Sequence, residues 1–214
     1  MYLHATLIPK LGRRADLIDM LARLTRAMET PSMRLLAALE TISGAPGQVI
    51  DIWRLDGADT IVSALEGAAT HPLHQQTLDR LGQSLTTERL RLVVDADLSR
   101  ELALSPAGLE ARYLHAKLTV HYGQTARLCE VILELRDLFE ENFGWRLVAG
   151  YRTVIGDFGE LYDLWEIPAG VGVEETLIQA RKLPAFARIE ARLPEYLVGE
   201  ELAIVKPTSY CPVG

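Results

Sequence analysis

Hydrophobic and polar residues alternate in two short segments that lie 111 residues apart. Leu3, Ala5 and Leu7 alternate with polar neighbours, and residues 112–122 repeat the alternation. A glycine follows each segment, and apolar residues then recur at helical spacing over residues 15–28 and again from residue 126 to residue 139. A period of two predicts a strand and a period near 3.6 predicts a helix, so each half of the chain begins with strand and helix.

The remaining pattern also occurs twice. Each half continues with a hairpin around a glycine-containing turn, a second helical stretch and a closing strand. The predicted segments are 33–42, 48–55, 59–85 and 89–95 in the first half, and 145–155, 160–167, 173–197 and 201–206 in the second. Each half therefore reads β-α-β-β-α-β, which is the ferredoxin-like order.

Identical residues keep a constant offset between the halves. Residues 2–5 recur as residues 113–116, and after one inserted residue the offset becomes 112. Pairs at the second offset include Arg34/Arg146, Asp51/Asp163, Trp53/Trp165, Pro72/Pro184 and Leu90/Leu202. This register indicates an internal duplication. We expect a first repeat at 1–98, a linker at 99–111 and a second repeat at 112–214.

One repeat alone would leave an apolar sheet face exposed. Four strands with both helices on one side leave the other side uncovered, and large apolar patches are rarely exposed. The sequence therefore predicts an α+β protein of two tandem ferredoxin-like repeats, whose sheets face each other as an α/β barrel within one chain.

Composition and charge narrow the possible partners. The 214 residues are 49% hydrophobic and 24% charged, with a net charge of −7 and no run of Lys or Arg. This balance argues against nucleic acid, and the absence of an apolar run of 18 residues argues against a membrane. Two cysteines without metal or disulfide spacing are typical of a cytoplasmic protein.

Three stretches resemble a known family. Tyr2 with Lys10 and Gly12 resembles the opening strand and turn of NIPSNAP-type domains, and residues 47–56, which contain Trp53, resemble their third strand. Residues 203–210 are similar to their closing strand. The resemblance covers both halves, with one departure: family members usually have His two residues before the Trp, where this chain has Asp51 and Asp163.

The resemblance implies the dimeric α/β barrel superfamily. That superfamily contains cofactor-free monooxygenases, polyketide-type cyclases, dehydratases and lyases, haem proteins of the chlorite dismutase type, and members without known activity. Since fold does not imply function, the resemblance restricts the architecture more than the chemistry.

The repeated Asp and Trp pairs are the first candidate site. Asp51 and Trp53 share one strand face, as do Asp163 and Trp165. If the isoleucines beside Asp51 pack under the helices, both pairs face the other sheet, with Arg34 and Arg146 as counter-ions. Either the pairs are structural, or a carboxylate with a shifted pKa acts as a base beside an aromatic wall.

The repeated histidines are the second candidate. His4 and His115 share a strand face with Tyr2 and with Tyr113 and Lys117, opposite the Leu and Ala face. If that face points into the barrel, a neutral imidazole can exchange protons and Lys117 can stabilise an enolate or phenolate. The alternatives are half-buried structural histidines, or a barrel lined by the Leu and Ala face.

Positions that differ between the repeats form the third group. Tyr151 and Arg152 stand where the first repeat has Leu39 and Glu40. His71 and His74 have a spacing that suits a metal but also a solvated helix end, and the second repeat lacks both. No nucleophile elbow, phosphate loop or dinucleotide fingerprint is present in the sequence.

Together these patterns favour a cofactor-independent enzyme that uses acid–base chemistry on an apolar, aromatic or polyketide-like metabolite, as an isomerase, cyclase, lyase or monooxygenase. The alternatives are a barrel that binds haem or another ligand, and a non-catalytic interaction protein. We expect a small-molecule substrate and possible association into a homodimer or higher oligomer. The candidate catalytic residues are Asp163, Asp51, His115, His4, Arg146, Arg34 and Lys117. The candidate substrate-binding residues are Trp53, Trp165, Tyr151, Arg152, Tyr113, Tyr2 and His74.

Overall fold

The computed structural model describes residues 1–45, 47–70, 72–98 and 102–212, without the side chains of 65, 68 and 72–75. The first half contains β1 (Tyr2–Pro9), α1 (Arg14–Met28), β2 (Met33–Ser43), β3 (Val49–Leu55), α2 (Asp59–Ala69), α3 (Pro72–Ser84) and β4 (Leu85–Asp95). The second half contains β5 (Arg112–Val120), α4 (Thr125–Phe143), β6 (Arg146–Ile155), β7 (Glu160–Ile167), α5 (Val173–Ala180), α6 (Pro184–Arg192) and β8 (Leu197–Pro207).

The eight strands close into one antiparallel barrel in the order β1-β3-β2-β8-β5-β7-β6-β4. Within each half, the first strand lies between the third and the fourth, as in a ferredoxin-like sheet. The halves join where β2 pairs with β8 and where β4 pairs with β6. The predicted intrachain α/β barrel of two ferredoxin-like units is confirmed.

The first helix of each half forms where the periodicity predicts it, because it buries one apolar stripe against the outside of the barrel. The second predicted helical stretch is instead two helices in each half, α2 and α3 in the first and α5 and α6 in the second. In α1 the buried stripe contains Leu17, Met20 and Leu21, and in α4 it contains Leu128 and Ile132. Each such side chain contributes roughly 1.5–3 kcal/mol when it is fully buried. Among the described residues, no helix combines the length and apolar character needed to cross a membrane.

The closing strands are longer than their apolar patterns predict. β4 begins at Leu85 and β8 at Leu197, in each case four residues before the predicted start. In β4, Thr87 and Glu88 pair with β1. The backbone ladder therefore extends through a segment whose side chains give little hydrophobic signal, since backbone hydrogen bonds do not depend on apolar side chains.

The interior of the barrel is filled by side chains from both halves. Ile50 and Ile52 of β3 and Leu164 of β7 pack there together with Val93 and Val205. Their alternate neighbours, Asp51, Trp53, Asp163 and Trp165, therefore lie on the outer face under the helices. The prediction that these four residues face the other sheet is wrong. β3 is apolar on both faces, so alternation alone cannot identify the inner one.

One end of the barrel is covered by the segment that joins the halves. Leu102, Leu104 and Ala111 pack against the interior cluster. The backbone N–H of Ser105 donates a hydrogen bond of 2.8 Å to the hydroxyl of Tyr113 inside the barrel. The other end is not covered in this way, and a cavity opens there.

The chain crosses to the other half after each closing strand. The N–H of Ala96, after β4, donates to the carbonyl of Gly150 at 3.0 Å, and the N–H of Thr208, after β8, donates to the carbonyl of Ala38 at 2.8 Å. Leu98 packs so closely on Gly150 that a Cβ there would lie 2.7 Å from the Leu98 Cβ. Each half is thus covered by a segment from the other half.

Candidate functional site

Each half contains an apolar cavity between its sheet and its helices. The cavity of the first half has a volume of about 170 Å³ and that of the second about 210 Å³. Both are lined at equivalent positions, with Asp51, Trp53 and Glu88 in the first and Asp163, Trp165 and Glu200 in the second. The duplication has therefore produced two related candidate sites in one chain, one in each half.

The cavity of the second half is rich in aromatic side chains. Phe139 and Phe186 from α4 and α6 meet Trp145 and Trp165 from the sheet side, and leucines complete the wall. Its charged lining residues besides Asp163 are Glu200 and the ion pair between Arg181 and Glu190, whose Nε and Oε1 lie 3.5 Å apart. Such a wall suits a flat apolar ligand.

Asp163 is the buried carboxyl group of this second cavity. Burial raises its pKa to about 7, a hydrogen bond from Trp165 acts in the opposite direction, and Glu200 adds to the rise. Its Oδ1 atom has no hydrogen-bond partner in the described part of the chain. A carboxyl group that ionises near neutral pH and has an unused acceptor atom is suited to take a proton from a ligand.

Asp51 lies in the equivalent position but has a partner. Burial raises its pKa to about 7 as well, although the hydroxyl of Tyr210 donates a hydrogen bond that lowers it, and Glu88 raises it. The distance from the Tyr210 hydroxyl to Asp51 Oδ1 is 2.8 Å. Oδ1 of the first carboxyl therefore has a protein donor, whereas Oδ1 of the second has none among the described residues.

The difference between the two carboxyl groups follows from one diverged pair. Tyr210 follows β8 at the same offset of 112 at which Leu98 follows β4, and each residue covers the opposite half. Tyr210 supplies a hydroxyl to Asp51. Leu98, which packs on Gly150 in the strand register beside Asp163, has none.

The two repeated histidines meet inside the barrel. Their Nε2 atoms are 3.2 Å apart, and the ring of Tyr162 stacks on His4 with a centroid distance of 4.3 Å. Burial lowers the pKa of His4 well below its usual value, and the charge of His115 adds to this. Burial also lowers the pKa of His115 to about 4. Both rings are therefore neutral at pH 7.

Lys117 and Tyr162 lie beyond the histidines toward the open end of the barrel. Lys117 Nζ lies 3.0 Å from Glu160 Oε1, and Glu160 also contacts Arg91 and the hydroxyl of Tyr162. This group lies on the inner face of the sheet, whereas Asp163 lies on the outer face. The structure thus separates His4, His115 and Lys117, on the inner face, from Asp51 and Asp163, each of which lines its own outer cavity.

The predicted counter-ions do not reach the aspartates. Arg34 is exposed and stands opposite Arg54 in the strand register, while Arg146 pairs with Glu166 at 2.5 Å. The prediction that Arg34 and Arg146 neutralise Asp51 and Asp163 is wrong. They lie near the beginning of β2 and β6, several residues from the positions that pair with the aspartates.

The remaining predicted residues lie at the covered end or on the surface. Tyr2 and Tyr151 contact each other there, with ring centroids 4.8 Å apart, and Tyr113 is buried beside Ser105. Arg152 is exposed. The prediction for His71 and His74 falls outside the described residues, since for His74 only the backbone is described.

The described side chains do not form a recognisable metal or haem site. Within 1–45, 47–70, 72–98 and 102–212, no three His, Cys, Asp or Glu side chains converge as a metal site requires. Neither apolar cavity is lined by a described histidine, and His4 and His115 point at each other. The described side chains therefore do not offer an axial ligand to a haem iron in either cavity.

Two residues of importance were not singled out from the sequence. Arg91 and Glu160 carry charge into the barrel, although nothing in their local pattern distinguishes them from exposed strand residues. Comparing the repeats gives a signal, because Arg91 stands where the second repeat has Ala203 and Glu160 where the first has Gln48. The same comparison identifies Leu98 and Tyr210.

Solved structures with this barrel span nearly the whole chain. An anthrone oxidase-like protein matches with a TM-score of 0.68 at 10% identity, over 97% of this chain and 90% of that chain. A candidate monooxygenase from Lactobacillus acidophilus NCFM matches with a TM-score of 0.59 at 9% identity, over 95% and 91%. Identities this low show the shared fold alone.

A NIPSNAP domain protein from Burkholderia xenovorans is also similar, with a TM-score of 0.41 and 19% identity over 47% of this chain and 100% of that chain. No protein-family model matches the chain, and the search of curated proteins gave no match. The expected dimeric α/β barrel architecture is confirmed at the level of the fold, and the chemistry has to be argued from the site.

Proposed function

We propose that this protein is a cofactor-independent enzyme that removes a proton from a small, flat, apolar or aromatic metabolite in the cavity of its second half. Asp163 is the general base. The observation that carries the proposal is its unpartnered Oδ1 atom, on a carboxyl group with a pKa of about 7, inside an aromatic cavity.

The reaction is the transfer of one proton. The Asp163 carboxylate accepts a proton from an acidic C–H next to a carbonyl, or from a phenol, and the bond electrons remain on the substrate as an enolate or phenolate. Return of the proton from Asp163 to another carbon completes an isomerisation. Arg181, at the wall of the cavity, is the cation placed to favour the negative charge on the substrate.

Addition of molecular oxygen to the same anion is the second candidate. The enolate or phenolate carbon supplies the electron pair of a new C–O bond to O₂, and the resulting peroxide anion takes the proton from Asp163 to give a hydroperoxide, so Asp163 has the same role in both reactions. Support for this candidate comes from structural neighbours described as a candidate monooxygenase and as anthrone oxidase-like, which have this fold.

The histidine pair is not the base in this proposal. Both rings are neutral at pH 7, and they lie on the opposite face of the sheet from Asp163. An imidazole with a pKa near 4 is a weak base at neutral pH, so His115 and His4 serve as packing and hydrogen-bonding groups of the barrel interior.

Proton abstraction is tested by hydrogen–deuterium exchange into 2-tetralone, an aromatic ketone with acidic C–H bonds, followed by proton NMR in D₂O. We expect the protein-catalysed rate to rise with pH and to level off above about 7, because the Asp163 carboxylate is the active form. Asp163→Asn is expected to lower the rate at least ~100-fold, the usual contribution of a general base.

The duplicated chain supplies the matched control. Asp51→Asn removes an equally buried carboxyl group, whose Oδ1 already accepts a hydrogen bond from the Tyr210 hydroxyl. This variant is therefore expected to change the rate by less than about threefold. Equal losses in the two variants, or a rate without an inflection near pH 7, would contradict the assignment of Asp163.

A further inference from the structure

The open end of the barrel contains a further cavity, different from the two apolar ones, that the proposed reaction does not use. Its volume is about 490 Å³, and it lies on the inner face of the sheet. Its charged and aromatic lining residues come from four strands: Arg89, Arg91, His115, Lys117, Tyr162 and Glu201. The apolar cavity at Asp163 lies on the other side of the sheet, so the two cavities are separate.

A buried ionic network forms the wall of this cavity. Arg91 Nε lies 2.5 Å from Glu160 Oε2, and Lys117 Nζ lies 3.0 Å from Glu160 Oε1. The side chains of Arg91 and Glu160 are only 4% and 5% exposed, and that of Lys117 is 20% exposed. The hydroxyl of Tyr162 donates to the same carboxylate.

The other repeat shows that the fold does not require this network. Lys117, Glu160 and Tyr162 correspond to Thr6, Gln48 and Ile50, which occupy equivalent places in the same barrel without charge. Likewise Arg91 corresponds to Ala203. Since a buried ion pair is seldom more stable than a well-packed uncharged replacement, the charged arrangement has no structural advantage that explains it.

The balance of charge in the network favours an anion. Two cations, the buried Arg91 and the mostly buried Lys117, share the buried carboxylate of Glu160. Their further partners are Asp157, at 2.9 Å from Arg91, and Glu201, at 3.0 Å from Lys117, whose side chains are 71% and 74% exposed. Because Asp157 and Glu201 are largely exposed, water can solvate them when they leave, so an incoming anion can replace them at small cost.

We propose that this open end of the barrel binds a small organic molecule with one carboxylate group. The carboxylate lies between Arg91 and Lys117 in place of Asp157 and Glu201, because one excess buried positive charge matches a single negative charge. Arg89 adds a further cation at the wall. The body of the ligand rests over Tyr162 and His115, which form the inner surface of the cavity.

Benzoate is the probe for this site, with inorganic phosphate as the comparison. We expect titration calorimetry at pH 7.5 to detect benzoate binding to the wild-type protein, and the amide NMR signals of residues around Lys117 to shift. Lys117→Thr, which copies the first repeat, is expected to weaken binding at least ~10-fold. If Lys117→Thr is poorly folded, Lys117→Gln, which keeps a hydrogen-bond donor but removes the charge, replaces it in the same measurement.

Two further variants separate this site from the rest of the molecule. Lys182→Thr removes an exposed lysine on the outside of the protein and is expected to leave the affinity within twofold. Asp163→Asn is also expected to leave it unchanged. The proposal is overturned if wild type binds no benzoate, if Lys117 variants bind it normally, if Asp163→Asn abolishes binding, or if phosphate binds more tightly.

Discussion

Replacing Asp163 by Asn is expected to increase the free energy of unfolding at pH 8 by roughly 3–4 kcal/mol and to change it little at pH 4. The pKa of this carboxyl is about 7 in the folded protein, because of burial, against 3.8 for an exposed aspartate. The folded state therefore holds the proton more tightly than the unfolded state.

The sign of this pH effect follows from the direction of the shift. Below about pH 4 the carboxyl is mainly protonated in both states, so its burial then lowers the stability of the folded protein least. As the pH rises from about 4 to 7, only the unfolded state loses the proton readily, and the stability of the wild type falls. Above pH 7 the loss is complete, and Asn, which cannot ionise, avoids it.

Urea unfolding at pH 4, 6 and 8 measures the effect. Asp56→Asn, at an exposed position, is the control and is expected to change the stability by less than about 0.5 kcal/mol at each pH. If Asp163→Asn instead destabilises the protein at pH 8, the Asp163 carboxylate has a stabilising partner and is not an unoccupied base.

Replacing Arg91 by Ala is expected to lower the free energy of unfolding by roughly 3–5 kcal/mol, the usual result of breaking a buried ion pair from one side. Glu160 would remain buried with only Lys117 as a cationic neighbour. Combining Arg91→Ala with Glu160→Gln gives the residues that the equivalent positions carry as Ala203 and Gln48, and it is expected to recover at least half of the loss.

A double-mutant cycle by urea unfolding checks this coupling. Arg192→Ala breaks a more exposed pair with Glu134 and is expected to lower the free energy of unfolding much less than Arg91→Ala does. If Arg91→Ala costs no more than Arg192→Ala, or if the double variant is as unstable as the sum of the single ones, the network is not a coupled buried unit.

The fold was predictable because the duplication left its pattern in every element. The helix stripe around Leu17, the shared strand residues at 2–5 and 113–116, and the hairpin turns are local signals. A ferredoxin-like half with one bare sheet face also has few ways to bury it. The closed barrel follows from that need and is what the strand pairing shows.

The site was only partly predictable, since its decisive contacts are not local. Val49–Leu55 is apolar on both faces, so the sequence could not indicate that Asp51 lies under the helices. The capping of Asp51 by Tyr210 joins residues 159 positions apart. Comparing Leu98 with Tyr210 indicates why Asp51 has a hydroxyl partner and Asp163 does not. That comparison is informative only when it is known that the segments after β4 and β8 each cross onto the other half.

Carbon-13 NMR of the aspartate carboxyl groups measures both the ionisation of Asp163 and its accessibility to a ligand. The Asp163 resonance is the one that disappears in Asp163→Asn. We expect it to titrate with a midpoint near 7 and to shift when 2-tetralone is added, while the Asp51 resonance does not respond to the ligand. A midpoint near 4, or an Asp163 signal that is insensitive to the ligand, would contradict the assignment of Asp163 as the base.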